Sequence, residues 1–96
     1  MQKTMEHTPQ IIPKEEIPNL EFKLPVTVEQ PDDLMERLIE ATKLGNLHHV
    51  KIAIVFHDDE GLKQVETTIW ATGAKYICLK GGVWLPISRI KDIKLI

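Results

Sequence analysis

From residue 62 to 96 the chain reads LKQVETTIWATGAKYICLKGGVWLPISRIKDIKLI, with β-branched and aromatic residues alternating with polar ones and turn residues breaking the run at short intervals. Alternation of period two gives a strand one buried and one open face, so this stretch predicts short strands joined by turns. The pattern begins slightly earlier, over 49–57, where Val50, Ile52, Ile54 and Phe56 share a side. Asp58, Asp59, Glu60 and Gly61 then form a turn in which Gly61 can take positive φ without steric cost. The strand over 64–72 turns Val65, Thr67, Ile69 and Ala71 inward, and Thr72, Gly73 and Ala74 return the chain into 75–80 with Ile77 and Leu79 inward. Gly81 and Gly82 lead into 83–87, with Val83, Leu85 and Ile87 inward. A short turn around Ser88, Arg89 and Ile90 feeds a closing strand with Ile93 and Leu95 inward.

Upstream the period changes. Over 31–44, Leu34, Leu38 and Ala41 form a stripe of helical spacing with Met35 and Ile39 beside it. Pro31, Asp32 and Asp33 suit the unpaired N–H groups and positive dipole of a helix start, while Lys43 and Gly45 suit its end. Leu20, Phe22, Leu24, Val26 and Val28 alternate with polar residues, which predicts an extra strand over 20–28. Pro25 restricts that strand to a sheet edge, because it cannot donate to a ladder. Residues 1–19 hold Pro9, Pro13 and Pro18 without a period and read as a flexible or loosely docked arm. The expected architecture is α+β: the arm, then one domain over 20–96 in which a helix precedes a strongly bent, five-stranded antiparallel small barrel.

A helix followed by five short strands, with Lys80-Gly81 running into VWLPI, resembles the small β-barrels of the Sm-like and SH3-like type. The Sm-like class assembles into rings and binds uridine- or adenine-rich RNA through loops near the pore, so the resemblance implies a homo-oligomer and an RNA partner. The segment TGAKYICL lacks the Asp and Asn that the first Sm motif uses to hold a base. Lys80-Gly81 also lies in a tight turn between adjacent strands, and not between the final two.

Charge divides the chain. Residues 1–60 carry six Lys and Arg against twelve Asp and Glu, and residues 61–96 carry six against two, within a net charge of −2. That balance argues against binding nucleic acid by bulk electrostatics alone, while the two halves can attract each other within or between molecules. No apolar run approaches the ~20 residues that cross a bilayer, and the start MQKTMEHTPQ lacks the apolar core of a signal peptide, so a cytoplasmic location is expected. Cys78 is single, which excludes an intrachain disulfide, and within ICL it reads as a small strand hydrophobe.

The strands' second face carries the candidate site. If Ile69, Ile77 and Leu85 point inward, Trp70, Tyr76, Cys78, Trp84 and Pro86 point outward, joined by Ala53 and Val55. Three readings stand: the helix or the 20–28 strand covers this face; it binds a protein partner or a second copy through Trp70, Tyr76, Trp84 and Val55; or it stacks bases beside Lys75, Lys80 and Arg89. His48, His49 and His57 lie at opposite ends of one strand, about 27 Å apart at ~3.3 Å per residue, so no shared metal site is expected. The DDEG segment lacks the spacing of a calcium loop and reads as a solvated turn. Neither Lys80-Gly81-Gly82 nor Ser88 stands in a phosphate-binding or nucleophile pattern. The expectation is a non-catalytic interaction or regulatory module without cofactor, metal or small-molecule substrate, with Sm-like RNA binding as the alternative.

Overall fold

A computed structural model describes residues 8–96. Strand β1 (Gln10–Ile11) and a 3₁₀ turn (Lys14–Asn19) come first, followed by α1 (Leu34–His48). Then come β2 (Ile52–His57), β3 (Leu62–Thr67), β4 (Ile69–Thr72), β5 (Tyr76–Leu79) and β6 (Val83–Pro86). A second 3₁₀ turn (Ile87–Arg89) leads to β7 (Ile90–Leu95). Among the described residues the protein is α+β, with one α-helix and seven strands in two sheets ordered β1-β3-β2-β7 and β4-β5-β6. Neither sheet closes on itself, so the expected single barrel is replaced by two sheets joined through a sharp bend.

That bend falls at Thr68, which divides the strand expected over 64–72 into β3 and β4. The Thr68 carbonyl accepts the Lys80 N–H at 2.9 Å, committing the chain beyond it to β5. On the other side the helix presses in: a Cβ added to Gly45 would lie 2.4 Å from the Ile69 carbonyl oxygen and 2.8 Å from the Thr68 methyl. Only glycine permits this approach, and Gly45 therefore lies inside the helix instead of ending it. The helix runs to His48 and stops at His49, whose left-handed φ of 55° directs its N–H to the Gly45 carbonyl.

The helix contributes Leu34, Leu38 and Ala41 to the core, as its stripe predicts, while Met35 and Ile39 stay exposed. Sheet residues Ile52, Ile54, Phe56, Val65, Ile69, Ile77, Leu79, Leu85, Ile90 and Ile93 add to it, with Ile17 and Ile87 from the two 3₁₀ turns. Ala71, expected inward, is exposed because a bulge between Ile69 and Ala71 shifts the register against β5. Leu95, also expected inward, is exposed at the end of the edge strand β7, where Ile93 is the last residue to reach the core.

The N-terminal region departs from expectation in two ways. Within the expected arm, Gln10–Ile11 adds a parallel strand to β3 and Ile17 is buried in the core. The remaining arm residues, 1–7, lie outside the described residues. The extra strand expected over 20–28 does not form, although Phe22, Val26 and Val28 are half-buried between exposed neighbours. A strand there would need its N–H groups for a ladder, but Pro25 has none and the Asp59 carboxylate takes those of Lys23 and Leu24 at 2.9 and 3.1 Å. The alternation in this segment records packing without strand pairing.

Candidate functional site

The outer face of β4-β5-β6 is built by register. Ile69, Ile77 and Leu85 have no exposed surface, so their neighbours turn outward: Trp70 is 44% exposed, Tyr76 49% and Trp84 58%. Cys78 lies opposite Trp84 on one side and Ala71 on the other, and Tyr76 lies opposite Pro86. The bulge places Trp70 and Ala71 together against Cys78, so Trp70, Cys78 and Trp84 form a row across three strands, roughly 10 Å wide at ~4.8 Å per strand. Tyr76 and Pro86 form the adjacent row and border a groove of about 420 Å³ shared with Ala74, Lys75, Ile87 and Ser88.

The helix packs against β4 from the core side and along its edge. Thr42 and Thr72 hydroxyls meet at 2.6 Å, and the Asn46 amide reaches the Trp70 carbonyl at 3.4 Å. None of these contacts covers the aromatic face, and the 20–28 segment packs elsewhere, around Phe22, Phe56 and Arg89. Three bulky aromatics exposed on one sheet make an apolar surface that nothing covers among the described residues.

Val55 is not part of this surface. It belongs to β2, in the other sheet, where it is buried between Gln64 and Asp92. Lys75 and Lys80 are exposed, Lys75 beside Tyr76 and Lys80 at the β5–β6 turn, where Gly81 and Gly82 take φ of 91° and 83°. Arg89 is buried and its donors are committed internally: Nη1 to the His57 carbonyl at 3.0 Å, Nη2 to the Leu24 carbonyl at 2.6 Å and to Asp59 at 3.0 Å. Its guanidinium also stacks 5.5 Å from the centre of the Phe22 ring. The expected nucleic-acid contact is thus an internal clamp holding the 20–28 segment to the sheet.

The DDEG turn is only partly solvated: Glu60 is exposed, but Asp58 is not. Asp58 is buried and accepts Glu60 N–H, Gly61 N–H and the Lys63 ammonium, each at 2.9–3.1 Å. Burial alone would raise its pKa, but the Lys63 hydrogen bond, the two amides and the Lys63 charge outweigh it, and the carboxyl is held below its usual range. Asp59 is also held down: desolvation opposes ionisation, while the Lys23 amide, Arg89, the Leu24 amide and the Arg89 charge favour it. One signal for this knot was present in the sequence, since Lys63 falls in phase with the buried Val65 and Thr67.

Among the described residues, no group of three or more His, Cys, Asp or Glu side chains converges as a metal site. No helix among them is long and apolar enough to cross a membrane. No protein-family model, curated protein or solved structure matches the chain.

Proposed function

We propose that this chain is a non-catalytic interaction module that binds a protein partner through Trp70, Tyr76 and Trp84. The observation that carries the reading is the exposure of all three aromatics on one face of a sheet whose opposite face buries Ile69, Ile77, Leu79 and Leu85 in the core. Trp and Tyr supply large contact areas with few rotors to freeze, which makes them frequent anchors of binding energy. The groove beside Tyr76 and Pro86 offers a recess at the border of the face. Replacing Trp70 and Trp84 by serine in the folded protein tests the reading. The expected result is loss of a partner captured by the wild type, or a shift of the chain's own mass towards monomer. An unchanged partner set together with unchanged mass refutes it.

The second reading is Sm-like RNA binding, favoured by the exposed Lys75 and Lys80 beside the aromatic face. It retains two of its three expected cations, Arg89 being committed internally. Binding of this kind weakens steeply with salt, because lysines displace counterions from phosphates. Absence of binding to mixed RNA oligomers at low salt removes it.

A further inference from the structure

Among the described residues no strand pairs with the outer edge of β7, and hydrogen-bond alternation fixes which of its groups face outward. The Ile12 N–H donates to the Gln64 carbonyl, so Gln64 turns its backbone groups towards β1. Its neighbour Val65 therefore bonds Ile54 across β2–β3, leaving Ile54 none to offer Ile93 on the other side. The N–H and C=O of Ile93 must both point out of the sheet. Side chains occupy both: the Asp92 carboxylate accepts the N–H at 2.8 Å, and Arg37 Nη2 donates to the C=O. Arg37 Nη1 also pairs with Asp92 at 2.9 Å. The Ile90 carbonyl is occupied likewise, by the Gln30 amide at 2.8 Å. Arg37 and Asp92 thus make at Ile93 the two hydrogen bonds that a neighbouring strand would make, and so blunt the edge.

We propose that the β7 edge is a gated pairing surface for a second copy of this chain, with Arg37 as the gate. The charge pattern of IKDIKLI chooses the register of a two-fold antiparallel pair. Centring the pair on Asp92 opposes two carboxylates, and centring it on Lys94 opposes two ammonium groups; both are unfavourable. Centring it on Ile93 sets Asp92 of each copy opposite Lys94 of the other, and brings the outward N–H and C=O of Ile93 onto those of its twin. Leu95 and Ile96, both about two-thirds exposed, lie at the end of the same edge beside a groove of about 320 Å³ lined by Ala41, Leu44 and Ile52. The gate is a half-exposed ion pair, a kind of interaction that is weak and readily exchanged.

Sedimentation equilibrium on the full chain tests the proposal. Arg37→Ala and the milder Arg37→Gln should dimerise at least tenfold more tightly than the wild type, with unchanged circular dichroism. Adding Lys94→Asp to Arg37→Ala opposes Asp92 to a new carboxylate and should return the mass to monomer; adding Asp92→Lys as well should restore the dimer. Replacing Trp70 and Trp84 by serine in the Arg37→Ala chain should leave the dimer intact, which separates this surface from the aromatic face. The proposal is overturned if neither folded Arg37 variant associates more tightly than the wild type. It is equally overturned if Lys94→Asp has no effect on the dimer, or if the tryptophan substitutions abolish it.

Discussion

Gly45→Ala separates what local helix chemistry says from what the tertiary structure says, because the two predict opposite signs. In an exposed helix interior the change would stabilise by about 1 kcal/mol, since alanine restricts the unfolded chain more and helix propensity favours it. Here the added methyl would meet the Ile69 carbonyl oxygen at 2.4 Å and the Thr68 methyl at 2.8 Å. The first obstacle is backbone, in the strand that leaves the bend, so relief requires the helix and β4 to separate. Overpacking of this kind costs about 1–3 kcal/mol, and more when backbone must move. Because the obstacle is backbone, the upper part of that range, about 2–3 kcal/mol, applies, and set against the propensity gain the net expectation is a destabilisation of about 1–2 kcal/mol. With a urea slope of about 1 kcal/mol/M for a small domain, the unfolding midpoint should fall by about 1–2 M at unchanged slope. The assay is urea denaturation followed by tryptophan fluorescence and by far-ultraviolet circular dichroism. A midpoint equal to or above the wild type would refute the close helix–strand approach on which the bend depends.

The buried charges give further expectations. Lys63→Met leaves the Asp58 carboxylate buried without its cation and should cost about 3–5 kcal/mol in the same denaturation assay, because an unpaired buried charge is more costly than the pair is beneficial. Asp58 and Asp59 both have carboxyl groups depressed in the folded state. The unfolded chain therefore takes up their protons first: their stabilisation is present above an unfolded pKa of about 3.9 and is lost as pH falls through the lower folded values. Thermal melts should drop steeply below about pH 4, and Asp59→Asn should flatten that dependence. Arg89→Ala removes the clamp on the 20–28 segment and should make that segment the first site of limited proteolysis, measured by mass spectrometry of the fragments.

The strands were legible because alternation is a local signal with a physical cause: Ile69, Ile77 and Leu85 face the core and Trp70, Tyr76 and Trp84 face out, as the period requires. The helical stripe of Leu34, Leu38 and Ala41 was equally direct. What the sequence hid was tertiary in origin. Gly45 reads as a helix stop because glycine often follows a helix, yet its reason lies in contact with Ile69, far along the chain. The segment over 20–28 has a strand's alternation, but Asp59 and Pro25 deny it a ladder, and only a folded neighbour reveals that. Val55 lies on the opposite face of β2 from Ile54 and Phe56, but β2 belongs to the other sheet and is buried on both faces, so the predicted face is neither exposed nor shared with the tryptophans. Arg89 looked available because a basic residue near a chain's basic end is usually solvated; three internal acceptors claim it here.

The most direct test of the aromatic face is a photo-crosslinking amino acid placed at Trp84 in the full chain, with the same probe at exposed Glu36 on the helix as control, irradiated in the native cellular setting. An interaction surface predicts a discrete crosslinked band from Trp84, either to another protein or to a second copy, that the Glu36 probe does not give. Crosslinking at Trp84 no different from that at Glu36 would contradict the account and leave three aromatics exposed without a partner to explain them.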